Sequence, residues 1–180
     1  MSSDPLHSIF WNHLEGIITA KLQHMPGDIY SSELRNAAKK IKGLGDAAVE
    51  FDGVKDRKGP DASLYNSSCT SDGKETQPPF LIEVNWTNLT SKKLAEKAEE
   101  YIQLSEGKVR TVVTVDLYPI YQRSNKGKSL KNDQKGPAPA VISVRRSYRG
   151  EDQQAATPRK DFDKVIMPFS LFVSMFKFPR

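Results

Sequence analysis

Two short stretches, PDASLY at residues 60–65 and PPFLIEVNWTN at residues 78–88, decide the fold. Both have the length of a β-strand, and the polar, turn-rich connection between them suits an antiparallel hairpin. Such a hairpin would place Asp61 at the start of one strand and Glu83 inside the next, with paired positions about 5 Å apart. Because a buried carboxylate is costly unless it is compensated, the pair favours a bound divalent cation.

The segments before the hairpin predict two helices and a first strand. Apolar residues at three- and four-residue spacing predict an N-terminal helix over residues 5–25. A second helix is expected from Ser31 or Ser32 to the glycine pair Gly43 and Gly45, where it should stop. The sequence AAVEFDG, residues 47–53, then predicts a strand.

The segments after the hairpin predict one helix and several strands. SKKLAEKAEEYIQLSEG, residues 91–107, has a helical apolar stripe, with Ser91 as its cap and Gly107 as its end. Strands are expected over residues 109–121, 140–148 and 164–169, with an interruption at Pro119 and a short helix after the last strand. Together these elements predict an α/β fold in which helices flank a mixed central sheet.

The length and composition indicate one domain over residues 1–180. A chain of 180 residues with 37% hydrophobic residues can form one core. Its expected parts are an N-terminal helix, a core over about residues 29–121, a basic loop over 123–135, and C-terminal strands and a helix over 139–178. The apolar C-terminal segment is a candidate surface for a homodimer.

The N-terminal segment, the cysteine count and the motifs limit the classes of protein to which this chain can belong. The N-terminus has neither a basic start nor an apolar signal core, so we expect an intracellular protein of the cytoplasm or nucleus with no membrane partner. The single cysteine, Cys69, has no second cysteine for a disulfide. No GxSxG turn and no GxxxxGK phosphate loop occurs, which leaves serine hydrolysis and nucleotide hydrolysis without support.

Positive charge is concentrated in two segments. Lys and Arg outnumber acids 27 to 22, and the segments RSNKGKSLKNDQK (123–135) and VRRSYR (144–149) carry much of that excess. Flexible cations near a rigid site suit phosphate contacts, although a solvated loop and an exposed strand face would have the same composition. The candidate phosphate contacts are Arg123, Lys126, Lys128, Lys131, Arg145, Arg146 and Arg149.

The motif set resembles the PD-(D/E)XK nuclease superfamily, which has the restriction-endonuclease-like fold. Pro60-Asp61, then Leu81-Ile82-Glu83-Val84-Asn85, then a lysine-rich helix and the strand VRTVVTVDLY follow the order of that superfamily, and of its small fungal branch in particular. The resemblance covers about residues 29–121. It implies an αβββαβ core in which Asp61 and Glu83 bind Mg²⁺ or Mn²⁺ and the metal activates water for phosphodiester hydrolysis.

This chain departs from the superfamily pattern at one position. The resemblance implies a lysine two residues after the glutamate, where this sequence has Asn85, which can orient water but carries no charge. Lys93 or Lys97 of the following helix is a candidate substitute, and both also fit a solvated helix surface. Glu33 is a further metal-ligand candidate, with a helix-dipole role as the alternative.

Two main hypotheses follow from these observations. The first is a Mg²⁺-dependent endonuclease that acts on nucleic acid, DNA rather than RNA. The second is a catalytically degenerate nuclease fold that serves as a nucleic-acid or protein interaction module. A protein-binding module unrelated to nucleic acid is a third possibility, and it predicts no salt-dependent affinity for DNA.

Overall fold

The computed structural model describes residues 5–45, 49, 51, 59–67, 78–86, 89–118, 139–148 and 157–168. Within these ranges the chain is an α/β protein in which helices pack on a mixed sheet. The helices are α1 (Pro5–Gln23), α2 (Ser32–Lys39) and α3 (Ser91–Leu104). The strands are β1 (Ile41–Gly45), β2 (Ala62–Asn66), β3 (Phe80–Asn85), β4 (Thr111–Asp116), β5 (Pro139–Tyr148) and β6 (Thr157–Pro168).

The strands lie in the sheet in the same order as in the chain. Five strands, β1 to β5, form the mixed sheet on which the helices pack, and β6 extends it by pairing with β5. The strands β1, β2 and β3 are antiparallel neighbours, whereas β3 and β4 are parallel and are joined through α3. The structure therefore confirms the expected α/β class and the mixed sheet flanked by helices.

Side chains of β3 point alternately to the two faces of the sheet, and each face carries its own core layer. Ile82 and Val84 point to the side on which Leu14, Ile17 and Ile18 of α1 pack. Leu81 points to the opposite side, where Ala98, Tyr101 and Ile102 of α3 form the second cluster. Because side chains alternate with a period of two in a strand, Glu83 and Asn85 share the α3 side with Leu81.

The predicted end of the second helix is wrong. The sequence pattern continued that helix to Gly43, but α2 ends at Lys39 and β1 begins at Ile41. Pairing with β2, in which Ile41 lies opposite Asn66, overrides the local helical pattern. The close approach of α1 explains why residue 43 of this strand is a glycine, because a Cβ at this position would overlap the carboxylate of Glu15.

The strand expected over residues 47–53 lies mostly outside the described residues. Two of its residues, Val49 and Phe51, are described, and both are buried in the core layer on the α3 side. The predicted strands around the hairpin and over residues 140–148 are confirmed. The last strand is longer than expected, since β6 begins at Thr157.

The start of α3 differs by one residue from the prediction. Thr90 is the N-cap, and its side chain accepts a hydrogen bond from the backbone N–H of Lys93. The helix ends before a turn in which Glu106 has φ 52° and Gly107 has φ 79°. Gly107 adopts this left-handed conformation without the steric penalty of a side chain, and it marks the end of α3 as the sequence predicted.

Several predicted features fall outside the described residues: Pro119, the basic loop 123–135, and the C-terminal apolar segment proposed as a homodimer surface. Across the described part of the chain, none of the helices combines the length and the apolarity that a membrane crossing needs.

Candidate functional site

The β2–β3 hairpin brings Asp61 next to Glu83. Ala62 lies opposite Ile82 in the antiparallel register, so Asp61, immediately before β2, comes opposite Glu83 one step further along. The backbone N–H of Val84 donates a hydrogen bond of 2.6 Å to Oδ2 of Asp61. The two carboxylates that the sequence singled out therefore lie on facing positions of adjacent strands.

Glu83 is almost completely buried, and both of its oxygens have a partner. Its residue exposure is 3%. The ammonium group of Lys97 donates to Oε2 at 2.8 Å, and the hydroxyl of Tyr101 donates to Oε1 at 2.6 Å. Both partners belong to α3, so the helix that packs over β3 supplies the polar environment of this carboxylate.

Burial raises the pKa of Glu83 from 4.5 to about 7. The positive charge of Lys97 opposes this effect, whereas the negative charge of Asp61 adds to it. The pKa of Tyr101 is raised as well, first by burial and then by the charge of Glu83. Tyr101 therefore remains a hydrogen-bond donor at neutral pH.

The structure distinguishes the two candidate lysines. Lys97 points inward with 32% of its side chain exposed, and its ammonium group lies 5.8 Å from the centroid of the Tyr101 ring. Lys93 is exposed at the first turn of α3, where its backbone N–H is part of the helix cap. Of the two, Lys97 is the one that contacts the carboxylate of Glu83.

Asn85 is buried, and its amide group bonds within the protein. Its Nδ2 donates to the carbonyl of Leu89 at 2.6 Å and to Oδ1 of Asp116 at 2.8 Å. Its Oδ1 accepts from the backbone N–H of Leu89 at 3.1 Å. Because both amide N–H groups are engaged, Asn85 holds the β3–α3 connection in place instead of offering a donor to a water molecule.

Asp116 extends this network from β4 to α3. It lies opposite Asn85 in the parallel register, and Ser91 donates to its Oδ2 at 2.6 Å. The backbone N–H of Tyr118 donates to its Oδ1 at 3.1 Å. These contacts tie the ends of β3 and β4 to the first residue of α3, and so fix the helix that carries Lys97 and Tyr101.

Sequence reasoning missed Tyr101, Asp116 and Ser91 as parts of the site. The signal for Tyr101 was its spacing, because it follows Lys97 by four residues and so lies on the same side of α3. The signal for Asp116 was its place at the end of a buried strand that runs parallel to β3. The sequence predicts Ser91 as the helix cap, whereas its hydroxyl bonds to Asp116.

Glu33 lies at the first turn of α2 and is exposed. Hydrogen bonds from its own backbone and from Ser31 and Ser32 lower its pKa. Among the described residues, no group of three or more His, Cys, Asp or Glu side chains is close enough to hold a metal ion. Glu33 therefore does not form a third acidic ligand beside Asp61 and Glu83.

The basic residues of β5 have different environments. Arg145 is buried, and its Nε donates to Glu99 of α3 at 3.1 Å, so its side chain is directed at the helix. Arg146 is exposed, and its contact with phosphate stays a prediction. The other candidate phosphate contacts lie outside the described residues: Arg123, Lys126, Lys128, Lys131 and Arg149.

Comparison with known proteins does not assign the chain to a family. No family model matches it, and neither a curated protein nor a solved structure does.

Proposed function

We propose that this protein is a metal-dependent nuclease of the PD-(D/E)XK type that hydrolyses phosphodiester bonds of DNA. The observation that carries the proposal is the arrangement around Glu83: Asp61 faces it from the neighbouring strand, and Lys97 contacts its Oε2 from α3. An aspartate, a buried glutamate and a nearby lysine are the residue types that the sequence resemblance implies for such a site. In this arrangement Lys97 takes the role of the lysine that Asn85 replaces.

The element order supports the same proposal. The elements α2, β1, β2, β3, α3 and β4 follow one another as αβββαβ. The first three strands are antiparallel, and the fourth is parallel to the third. This is the order that the sequence resemblance implies for the nuclease core, with Asp61 immediately before the second strand and Glu83 on the third.

The donor set at the site suits Mg²⁺ or Mn²⁺. Hard cations of this size bind oxygen ligands, usually one or two carboxylates together with water and substrate phosphate. Asp61 and Glu83 would hold the ion, which would replace the ammonium group of Lys97 at Oε2 of Glu83. The bound ion would lower the pKa of water and neutralise charge that develops on the phosphate.

The remaining residues have supporting roles in this proposal. Lys97 is partly exposed, so its ammonium group can move from Oε2 of Glu83 to a phosphate oxygen. Asn85 acts as a positioning residue through its bonds to Leu89 and Asp116. Lys93 and Arg146 are exposed cations that contribute attraction for the DNA backbone.

Plasmid cleavage tests the proposal directly. The full chain is incubated with supercoiled plasmid and Mg²⁺ or Mn²⁺, and nicked and linear products are quantified. Asp61→Asn and Glu83→Gln should each lower the rate by about a hundredfold or more, because a catalytic metal contributes several kcal/mol to transition-state stabilisation. Glu96→Gln is the matched control, since Glu96 is an exposed α3 acid that pairs with Lys92.

A catalytically degenerate interaction module is the second candidate, and the engaged amide of Asn85 favours it. If Lys97 cannot replace the missing motif lysine, DNA binding should persist without metal while no divalent ion supports cleavage. If neither cleavage nor salt-dependent DNA affinity is observed, both nucleic-acid functions are excluded, and a protein-binding function remains.

A further inference from the structure

An apolar patch is exposed where the chain passes from α1 into α2. Among the described residues five large hydrophobic side chains are exposed, and three of them fall within the six positions 29–34. Ile29 is 68% exposed, Leu34 49% and Tyr30 39%. Single exposed apolar side chains are common on protein surfaces, whereas a contiguous group marks a contact with another molecule. Together with the exposed Ala37, these residues form what we call the α2 patch.

The helical period places the α2 patch beside the side of α2 that packs on the protein. The first two patch residues directly precede the N-cap Ser31, whose hydroxyl accepts a hydrogen bond from the backbone N–H of Leu34 in the first turn. Ala37 follows Leu34 by three residues and so lies on the same side of the helix. The core of the protein takes Ala38, the buried residue of α2. The side with Leu34 and Ala37 therefore remains open to a partner.

Two exposed residues of opposite charge lie along one edge of the α2 patch. Glu33 is in the first turn of α2, and Lys40 is the C-cap, where it keeps a helical backbone with φ −85° and ψ −9°. Positions 33 and 40 are separated by two helical turns, so both residues lie on the same side of the helix, about 10 Å apart along its axis. This edge therefore has a negative charge at one end and a positive charge at the other.

We propose that the α2 patch binds a second copy of this chain, with the two α2 helices packed side by side in opposite directions about a two-fold axis. Equivalent edges face each other in such a pair, so Glu33 of each copy faces Lys40 of the other and two ion pairs form. In this register Leu34 lies beside Ala37 of the second copy, which sets a large side chain against a small one. The inference does not depend on the proposed nuclease activity, since the carboxylates at the β2–β3 hairpin take no part in it.

The charges favour a second copy over other partners, and the size of the patch sets the affinity. A nucleic acid or an anionic lipid surface selects cations alone, whereas the edge of the α2 patch carries one charge of each sign. An eight-residue helix and the two residues before its cap bury less area than a standard stable interface. The dimer should therefore be weak and reversible, with a Kd on the order of 10–100 µM.

Sedimentation velocity of the full chain at low salt measures this association, from about 5 µM to about 500 µM protein. The wild type should change reversibly from monomer to dimer over that range. Leu34→Gln should remove the change, because it places a polar amide in the centre of the contact. Glu33→Lys and Lys40→Glu should each raise the Kd by about tenfold, because each converts two attractive pairs into two repulsive ones. Glu96→Lys is the matched control, since it reverses an exposed charge on α3.

Mixing the two charge-reversed variants gives the decisive result. Glu33→Lys alone and Lys40→Glu alone have like charges at both facing positions, whereas a dimer of one with the other has opposite charges at both. An equimolar mixture should therefore dimerise about as tightly as the wild type. A wild type that stays monomeric, association that persists in Leu34→Gln, or a mixture that associates no better than its components would each overturn the inference. Should Leu34→Gln lose its fold by circular dichroism, the mixture decides, because mixing cannot restore a lost fold.

Discussion

Replacing Glu83 by glutamine should change how the stability of the metal-free protein depends on pH. The substitution keeps the shape of the side chain and an oxygen for the Tyr101 hydroxyl, but it removes the titrating group. In the wild type, burial raises the pKa of Glu83 from 4.5 to about 7. The folded state therefore binds a proton at Glu83 more readily than the unfolded chain does.

The sign and size of the effect follow from that shift. The stability contributed by protonated Glu83 is fully present below the unfolded pKa, and it is lost as the pH rises through about 7. A shift from 4.5 to about 7 corresponds to about 3 kcal/mol of unfolding free energy in total. Between about pH 5.5 and about pH 8.5 the wild type should lose about 2 kcal/mol of this amount.

Urea unfolding followed by circular dichroism measures the effect, with a chelator present at each pH. The measured quantity is the unfolding free energy of Glu83→Gln minus that of the wild type. This difference should rise by about 2 kcal/mol from about pH 5.5 to about pH 8.5, because the wild type loses stability over that range. Contact between the new amide and Lys97 adds an offset that does not vary with pH, so the change with pH is the decisive quantity. Glu96→Gln should show no such change, because the side chain of Glu96 is 58% exposed. A difference for Glu83→Gln that stays constant within about 0.5 kcal/mol would refute the reasoning.

Three further substitutions test separate parts of the site. Lys97→Met should abolish plasmid cleavage but raise the Mn²⁺ affinity in calorimetry at about pH 8.5, because the ammonium group competes with the ion for Oε2 of Glu83. A lower Mn²⁺ affinity would contradict this competition. Asn85→Ala should cost about 2–4 kcal/mol of unfolding free energy in urea, because it removes the amide group that bonds to Asp116 and to the backbone N–H and carbonyl of Leu89. A loss below about 1 kcal/mol would show that the network is dispensable. Arg146→Ala should lower the salt dependence of DNA binding by about one unit of slope, whereas an unchanged slope would remove Arg146 from the interface.

The hairpin was predictable because its signals are local. Residues 60–65 and 78–88 have strand length and lie on either side of a polar connection, and the alternation within β3 determines which residues share a face. The first strand was not predictable in the same way. The segment IKG, residues 41–43, continues a helical pattern, and it becomes part of β1 because β2 offers it backbone partners, which is a tertiary effect.

The site was partly predictable for the same reason. The facing positions of Asp61 and Glu83 follow from pairing of the two strands, and the position of Lys97 follows from the helical period. The engagement of Asn85 with Asp116 depends on the parallel register of β3 and β4, which are distant in sequence. The burial of Arg145 against Glu99 depends likewise on how α3 lies across β5. Single-sequence periodicity carries no information on either contact.

The most direct test of the central claim is a crystal structure of the full chain soaked in Mn²⁺, with the ion located by its anomalous scattering. We expect one Mn²⁺ between Asp61 and Glu83, bound to Oε2 of Glu83, with the ammonium group of Lys97 moved away from that oxygen. A map with both carboxylates ordered, the Lys97–Glu83 contact intact and no anomalous peak between them would contradict the account.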